Sequence, residues 1–277
     1  MRDDCRLIVL PRVDSTNNYA KEHFDEVADG TVIAAVEQFA GRGRLGRRWV
    51  AGPDIALTAT AVFKNVAEPF HAGAITGLAG LELVREKLPE QFVFFKWPND
   101  IYVNECKIAG ILSEGVLRGG ALAGVVSGIG INVNQSAADM AELSNPATSL
   151  FSLSGRKFFL ENLRFELAEK VEKYYIMYQS HPEELLGMWR DGNQLIGETL
   201  VLGAPDGVVR RGRFTGIGEN GEMVLTSPDG EVFLFDCGDV RIDATLIDFV
   251  TLANKRKHIN NQRQGGMPPQ EGSIHGR

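Results

Sequence analysis

The sequence predicts an α+β protein: a mixed, mainly antiparallel sheet with helices packed on it, followed by a small C-terminal β-barrel. Three observations carry this. Short apolar strands alternate with turn residues between positions 92 and 133. Two longer stretches, 71–88 and 159–179, are apolar at the helical period. After Gly192 the texture changes to closely spaced hairpins.

Taken in order, Asp14 and Ser15 are suited to cap a short helix, Thr16–His23. Thr31–Glu37 is a β-branched run that reads as a buried strand, and Ile55–Val62 alternates as a second. Between them lies a polar, glycine-rich segment, 41–54, closed by Gly52-Pro53-Asp54. His71–Leu88 places Ile75, Leu78, Leu81, Leu83, Val84 and Leu88 on one helical face, ended by Pro89. Phe92–Trp97, Ile101–Val103, Lys107–Glu114 and Ala121–Val133 follow as strands, expected to lie side by side and antiparallel in a sheet with helices on one face. A helix from Phe159 to about Gln179 comes next, and another starts at Pro182, a residue suited to a first helical turn. Glu198–Leu202, Val208–Ile217, Gly221–Thr226 and Glu231–Asp236 are then separated by Pro-Asp-Gly, Glu-Asn-Gly and Pro-Asp-Gly turns. The expected division is a catalytic domain over 1–192, a small barrel over 193–250, and a disordered tail over 251–277.

Composition narrows the function. The 277 residues are 44% hydrophobic and 23% charged, the balance of a globular protein with a sizeable core. A net charge of −7 argues against general nucleic-acid binding. No apolar run approaches the ~20 residues needed to span a bilayer, and the N-terminus lacks the layout of a signal peptide. Cys5, Cys106 and Cys237 are odd in number and form no CxxC pair, which suits reduced thiols in a cytoplasmic protein.

Three constellations carry chemistry. Gly41-Arg-Gly-Arg-Leu-Gly-Arg-Arg48 packs four arginines and three glycines into eight residues directly after a buried strand. Glycine lets backbone approach a ligand, and arginine offers forked donors that match phosphate or carboxylate. A basic run alone is usually a solvated loop, but this one lies between core strands of an acidic protein, which favours an anionic ligand. It is neither a Walker A loop nor a dinucleotide fingerprint. Lys96-Trp-Pro-Asn-Asp100 and Lys107-Ile-Ala-Gly-Ile-Leu-Ser-Glu114 form the second constellation, with Asp100 at a strand edge and Lys107 opening an apolar strand. Read alone, Asp100 caps a turn as readily as it holds Mg²⁺, and Lys107 is as readily a solvated hairpin lysine. Gly128-Ile-Gly-Ile-Asn-Val-Asn134 is the third; its alternation gives a flat glycine face for a planar ligand, or merely a bulge or close backbone packing.

In order and spacing, Ser15-Thr-Asn17, Gln38 ahead of Ala40-Gly-Arg-Gly-Arg44, Lys96-Trp-Pro-Asn-Asp100, Lys107-Ile-Ala-Gly-Ile-Leu112 and Gly128-Ile-Gly-Ile-Asn132 resemble the biotin protein ligases over about residues 10–245. The resemblance implies a class II synthetase/lipoate-ligase-like catalytic fold and an SH3-like C-terminal barrel. It implies activation of biotin with MgATP to biotinyl-5′-AMP, then transfer to a lysine of a biotin carboxyl carrier protein domain of a carboxylase. By the same resemblance Ser15, Thr16, Asn17, Gln38, Gly128 and Gly130 would surround biotin, and Arg42, Gly43 and Arg44 would close over its carboxylate and the nucleotide phosphates. Lys107 would neutralise the carboxylate and the acyl-phosphate, Asp100 would serve Mg²⁺ or the acceptor lysine, Asn132 the nucleotide, and Trp49 the adenine. The loop's glycines are expected to keep it mobile until ligand arrives.

Two features depart from the pattern. Phe39 stands where a polar residue is frequent, and Gln135–Thr148 matches only loosely. The Ser-Thr-Asn motif is reached by residue 15, so a winged helix ahead of it, and with it repressor activity and DNA binding, is not expected. An exposed sheet edge offers a route to a homodimer. A lipoate or octanoate ligase, a biotin-binding regulator and a nucleic-acid module are the competing readings.

Overall fold

The computed structural model describes residues 6–53, 55–141, 146–203, 208–236 and 239–241. Its first half is built on an eight-stranded sheet. β1 (Leu7–Val13), β2 (Val32–Arg42), β3 (Arg48–Ala51), β4 (Ala56–Phe63), β5 (Val93–Lys96), β6 (Asp100–Val103), β7 (Cys106–Arg118) and β8 (Ala121–Asn132) are arranged β1-β2-β4-β8-β7-β6-β5, with β3 paired to β2 off that path. The run β5 to β8 is an antiparallel meander, as its strand–turn spacing predicts. β1 joins β2 in parallel and makes the sheet mixed. Most of the segment read as a loop is a hairpin: β2 runs on to Arg42, and after a short 3₁₀ turn at Arg44–Gly46 the chain returns as β3 up to Ala51.

Helices cover both faces of this sheet, not one. α1 (Thr16–Glu22) lies on one side, where Ala20 packs in a small cluster with Phe24, Ile33, Val62, Val116 and Val126. On the other side lie α2 (Pro69–Lys87), α5 (Leu160–Ser180) and α6 (Pro182–Gly192), covering Leu57, Ala59, Ala61, Phe63, Ile129 and Ile131. The reason is the strand period of two: β4, and β8 from Gly124 onwards, are buried on both faces, so both need cover. Two one-turn helices, α3 (Ala137–Ala141) and α4 (Leu150–Ser154), lie between β8 and α5; Ser149 and Ser152 cap α4 reciprocally.

A second, five-stranded sheet follows. β9 (Thr199–Gly203), β10 (Val209–Ile217), β11 (Met223–Thr226), β12 (Val232–Phe235) and β13 (Asp239–Arg241) are all antiparallel neighbours in the order β12-β11-β10-β9-β13. Glu219-Asn-Gly221 and Pro228-Asp-Gly230 therefore mark real hairpins, and Pro205-Asp-Gly207 lies outside the described residues. Leu200, Leu202, Phe214, Met223 and Leu225 belong to the same buried cluster as the helices and the main sheet, so the packing is continuous across Asn193. The expected tail, 251–277, lies outside the described residues.

α2 and α5 are tied by more than apolar contact. Glu82 accepts from Lys170 at 3.1 Å, from Lys173 at 2.7 Å and from the Tyr174 hydroxyl. Burial pushes its carboxyl up, but the hydrogen bonds from Lys173, Tyr174 and Lys170 outweigh that and hold its pKa at about 2. A depressed carboxylate stabilises the fold above its unfolded pKa, near 4.5, and that contribution fades as pH falls towards 2. Melting curves between about pH 2 and pH 5 should therefore be steeper in pH for the parent than for Glu82→Gln; identical slopes would show that the knot adds nothing.

Candidate active site

The site is laid out by strand register. Ala35 pairs with Thr58, Thr58 with Gly130, Gly130 with Gly110, and Gly110 with Asp100, so one row of nearly bare backbone crosses five strands. The next row on the same face is Ile33, Thr60, Gly128 and Leu112. Side chains lie directly on the glycines, two of them from other elements and one from the same strand. A Cβ at Gly128 would meet Asn17 Oδ1 at 2.1 Å, one at Gly130 would meet the Trp49 indole at 2.3 Å, and one at Gly110 would meet Lys107 Nζ at 2.9 Å. These glycines are there for close approach, and the glycine strand's flat face is real.

Lys107 and Asp100 face each other over Gly110, Nζ to Oδ1 2.6 Å. Lys107 Nζ also lies 6.0 Å from the centre of the Trp49 ring, whose buried indole N–H has no hydrogen-bond partner. The backbone of Lys107 is stapled to the segment after α3: its N–H donates to Pro146 O at 3.0 Å and its carbonyl accepts from Thr148 N at 2.9 Å. Asn132 joins the same staple, donating to Thr148 O at 3.0 Å and accepting from Gln135 Nε2 at 3.2 Å. Of the loosely matching segment, residues 142–145 lie outside the described residues.

The arginine hairpin comes down on this patch. Gly43 N–H donates to Arg47 O at 2.7 Å and closes the tip. Arg44 Nη1 donates to Asn99 Oδ1 at 3.0 Å, and Asn99 is held in turn by Ile111, its Nδ2 donating to Ile111 O at 2.7 Å and its carbonyl accepting Ile111 N at 2.8 Å. Arg42 turns the other way and donates to Asn18 Oδ1. Phe39 is half-exposed, with the Arg12 guanidinium 4.7 Å above its ring.

Beneath the glycine strand's far end runs a buried polar ladder. Gln38 Oε1 accepts from Thr16 N at 2.8 Å and from Thr16 Oγ1 at 3.1 Å; the Thr60 hydroxyl lies 2.8 Å from Thr16 Oγ1 and 2.7 Å from Asn17 Oδ1. Asn17 Nδ2 donates to Leu112 O at 3.0 Å and to Glu114 Oε2 at 2.8 Å, and Lys21 Nζ holds the other Glu114 oxygen at 2.8 Å. Burial raises the Glu114 carboxyl, but Lys21 and Asn17, with the charges of Lys21 and Arg42, keep it below the ordinary carboxylate value. Ser15 is the N-cap residue of α1, yet its hydroxyl makes no capping bond.

The structure thus gathers Thr16, Asn17, Gln38, Arg44, Trp49, Asp100, Lys107, Gly128 and Gly130 around one patch, with Asn132 at its end. Four contributors were not singled out from sequence: Thr60, Asn99, Glu114 and Lys21. The alternation Thr58-Ala-Thr60 opposite the glycine strand was the available signal for Thr60. Asn99 and Glu114 stand inside quoted motifs, whereas Lys21 has no distinguishing pattern.

An ammonium, a guanidinium and a carboxylate over a flat floor of side-chain-free backbone suit the activation of a carboxylate by a phosphate-bearing compound. A profile of the Biotin/lipoate A/B protein ligase family matches residues 9–132. With the relatives below, this places the chain in that family. It is 32% identical over 241 residues to the bifunctional ligase/repressor BirA of Bacillus spizizenii, covering 81% of this chain and 70% of the relative. It is 30% identical over 243 residues to the biotin–[acetyl-CoA-carboxylase] ligase of Mycobacterium tuberculosis, covering 85% and 88%. The solved biotin protein ligase from Aquifex aeolicus in complex with biotin and ATP matches with a TM-score of 0.72 at 27% identity, over 85% of this chain and 98% of that one.

Thr60→Val keeps the shape of a fully buried side chain but removes the hydroxyl that Asn17 Oδ1 receives. Stability should drop by about 1–3 kcal/mol, the usual cost of a buried polar atom left without its partner. Chemical denaturation checks this, and parent-like stability would show that the ladder does not depend on Thr60.

Proposed function

We propose that this chain is a biotin protein ligase that makes biotinyl-5′-AMP from biotin and ATP and passes the biotinyl group to a lysine of a biotin carboxyl carrier protein domain. The observation that carries the reading is the Lys107–Asp100 pair over Gly110, with Arg44 held by the neighbouring Asn99, in a chain whose relatives of that name match over most of their length.

In the first step a biotin carboxylate oxygen bonds to the α-phosphorus of ATP and the bond to the bridging oxygen breaks, releasing pyrophosphate. In the second, the acceptor amine attacks the acyl carbon and AMP leaves. Neither needs a protein nucleophile; both need charge neutralised and groups held in place. Lys107 is assigned to the carboxylate and then the acyl-phosphate, and Arg42, Gly43 and Arg44 to the phosphates under the hairpin. Ser15, Thr16, Asn17, Gln38, Gly128 and Gly130 are assigned to the biotin rings. The free cap hydroxyl of Ser15 supports this, and so does Gln38, whose amide oxygen is already committed to Thr16 and turns its NH₂ group elsewhere. Trp49 and Asn132 are assigned to the nucleotide.

Mg²⁺ supplies charge neutralisation on the triphosphate. Asp100, whose carboxylate faces the Lys107 ammonium at the edge of the floor, would hold it. The reading also takes 1–192 as the catalytic domain and 193–250 as an SH3-like barrel, supported by the five antiparallel strands. A cytoplasmic location and a homodimer along a sheet edge complete it. β1 is an end strand and carries the exposed Val9, and among the described residues no helix is long and apolar enough to cross a membrane.

Pyrophosphate release with ATP and Mg²⁺ should occur with biotin and not with lipoate or octanoate; release with lipoate instead would replace the substrate. Lys107→Ala should lower adenylate formation by roughly 10²–10³-fold, the range for one lost charge-stabilising donor, with an unchanged fold. A parent-like rate would remove Lys107 from the mechanism. Biotin plus ATP should slow tryptic cleavage between Arg42 and Arg48; equal cleavage with and without them would end the closing-hairpin idea.

A further inference from the structure

Trp97 lies two residues before Asn99 and three before Asp100. The motif reading uses it only as the residue ahead of Pro98. In the fold it is 2% exposed, and its indole N–H donates to the carbonyl of Gly221 at 2.8 Å. Gly221 belongs to the second sheet, in the tight turn between β10 and β11, where its N–H bonds Gly218 O at 3.2 Å. Only glycine suits that place: φ is +90°, and a Cβ would meet the Phe70 ring at 2.4 Å. The aromatic seam continues through Trp189, edge-on to Phe70 at 4.9 Å and 5.7 Å from Phe95, with Gly192 close against the Phe95 ring.

From Trp97 the chain leads straight into the site. Asn99 takes the Arg44 guanidinium, and Asp100 takes the Lys107 ammonium. One buried hydrogen bond therefore fixes the start of the segment that positions both cations.

We propose that Trp97 is a positioning residue through which the second sheet sets the geometry of Asn99 and Asp100, and hence of Arg44 and Lys107, for adenylate formation. The inference rests on the ligase reading of the site. Trp97 touches no substrate on this account, and the biotin ladder at Thr16, Asn17 and Gln38 stands on α1 and β2, away from the segment that Trp97 anchors, so the coupling falls on the chemical step. Losing the bond should lower the rate of the chemical step and spare the ring contacts of biotin, so biotin affinity changes far less than rate.

The test uses the whole chain and three variants. Trp97→Phe removes the donor. Gly221→Ala displaces the acceptor turn from the other side. Phe70→Leu loosens the same seam but leaves the hydrogen bond. Pyrophosphate release by the parent checks the ligase reading by itself; the variants are judged relative to the parent. Trp97→Phe and Gly221→Ala should each lose about tenfold in kcat, the scale of a small misplacement at a reacting centre. Their biotin Kd by calorimetry and KM for biotin should stay within about twofold, the spread allowed for context. Phe70→Leu should melt lower and keep the parent kcat. If one of the first two does not fold, the other decides. Parent-like kcat in Trp97→Phe, a matching loss in Phe70→Leu, weakened biotin binding in step with kcat, or failure of both coupling variants to fold would each overturn the proposal in favour of a seam that only holds the protein together.

Discussion

A strand residue points to one face of its sheet only, and across five neighbouring strands the residues facing α1 are Ala35, Thr58, Gly130, Gly110 and Asp100. Between a hydroxyl at one side and a carboxylate at the other, the surface is bare main chain. The Trp49 indole and the Lys107 stem can lie on it because nothing projects to hold them off, and the Asn17 amide lies on Gly128 in the next row for the same reason. The opposite face of the same strands has Ile129, Ile131 and Leu57 at full burial under the helices. Stability and chemistry are thus divided between alternate residues of the same strands, which lets the working face carry glycine without emptying the core.

Legibility followed how local each signal was. α2 and α5 repeat apolar residues at the helical period and could be read off directly, as could the hairpins of the second sheet from their Asn-Gly and Asp-Gly turns. β1 was missed because Leu7–Val13 is a short apolar run interrupted by Pro11, and its parallel partner is a tertiary matter. β3 was hidden by the glycines and arginines around it, and helices on both faces required knowing which strands lie in the middle of the sheet. At the site, motifs exposed Lys107, Asp100, Arg44 and the glycines. They did not expose Thr60, whose neighbours come from α1 and from across the register, nor the part Asn99 plays for an arginine 55 positions away.

The change of texture at Gly192 has a similar lesson. Turn chemistry marks where the second sheet begins, but it does not show that Leu200, Phe214 and Met223 share their core with the helices. Nor does it show that Trp97 reaches across to Gly221. Sequence spacing marks where chain texture changes; packing determines what moves together.

The register row also has a consequence for how the protein comes into being. Ala35 and Thr58 are neighbours in a hairpin-like pair close along the chain, and Gly110, Gly130 and Asp100 belong to one meander. The two groups meet only where β4 pairs with β8, strands separated by α2 and three other strands. Contacts of such long range close late because the intervening chain must first be ordered. Each half can acquire its strands locally during synthesis, but no part of the floor spans both halves until that seam zips. A ribosome therefore finishes β8 before the emerging chain has anywhere to hold a ligand.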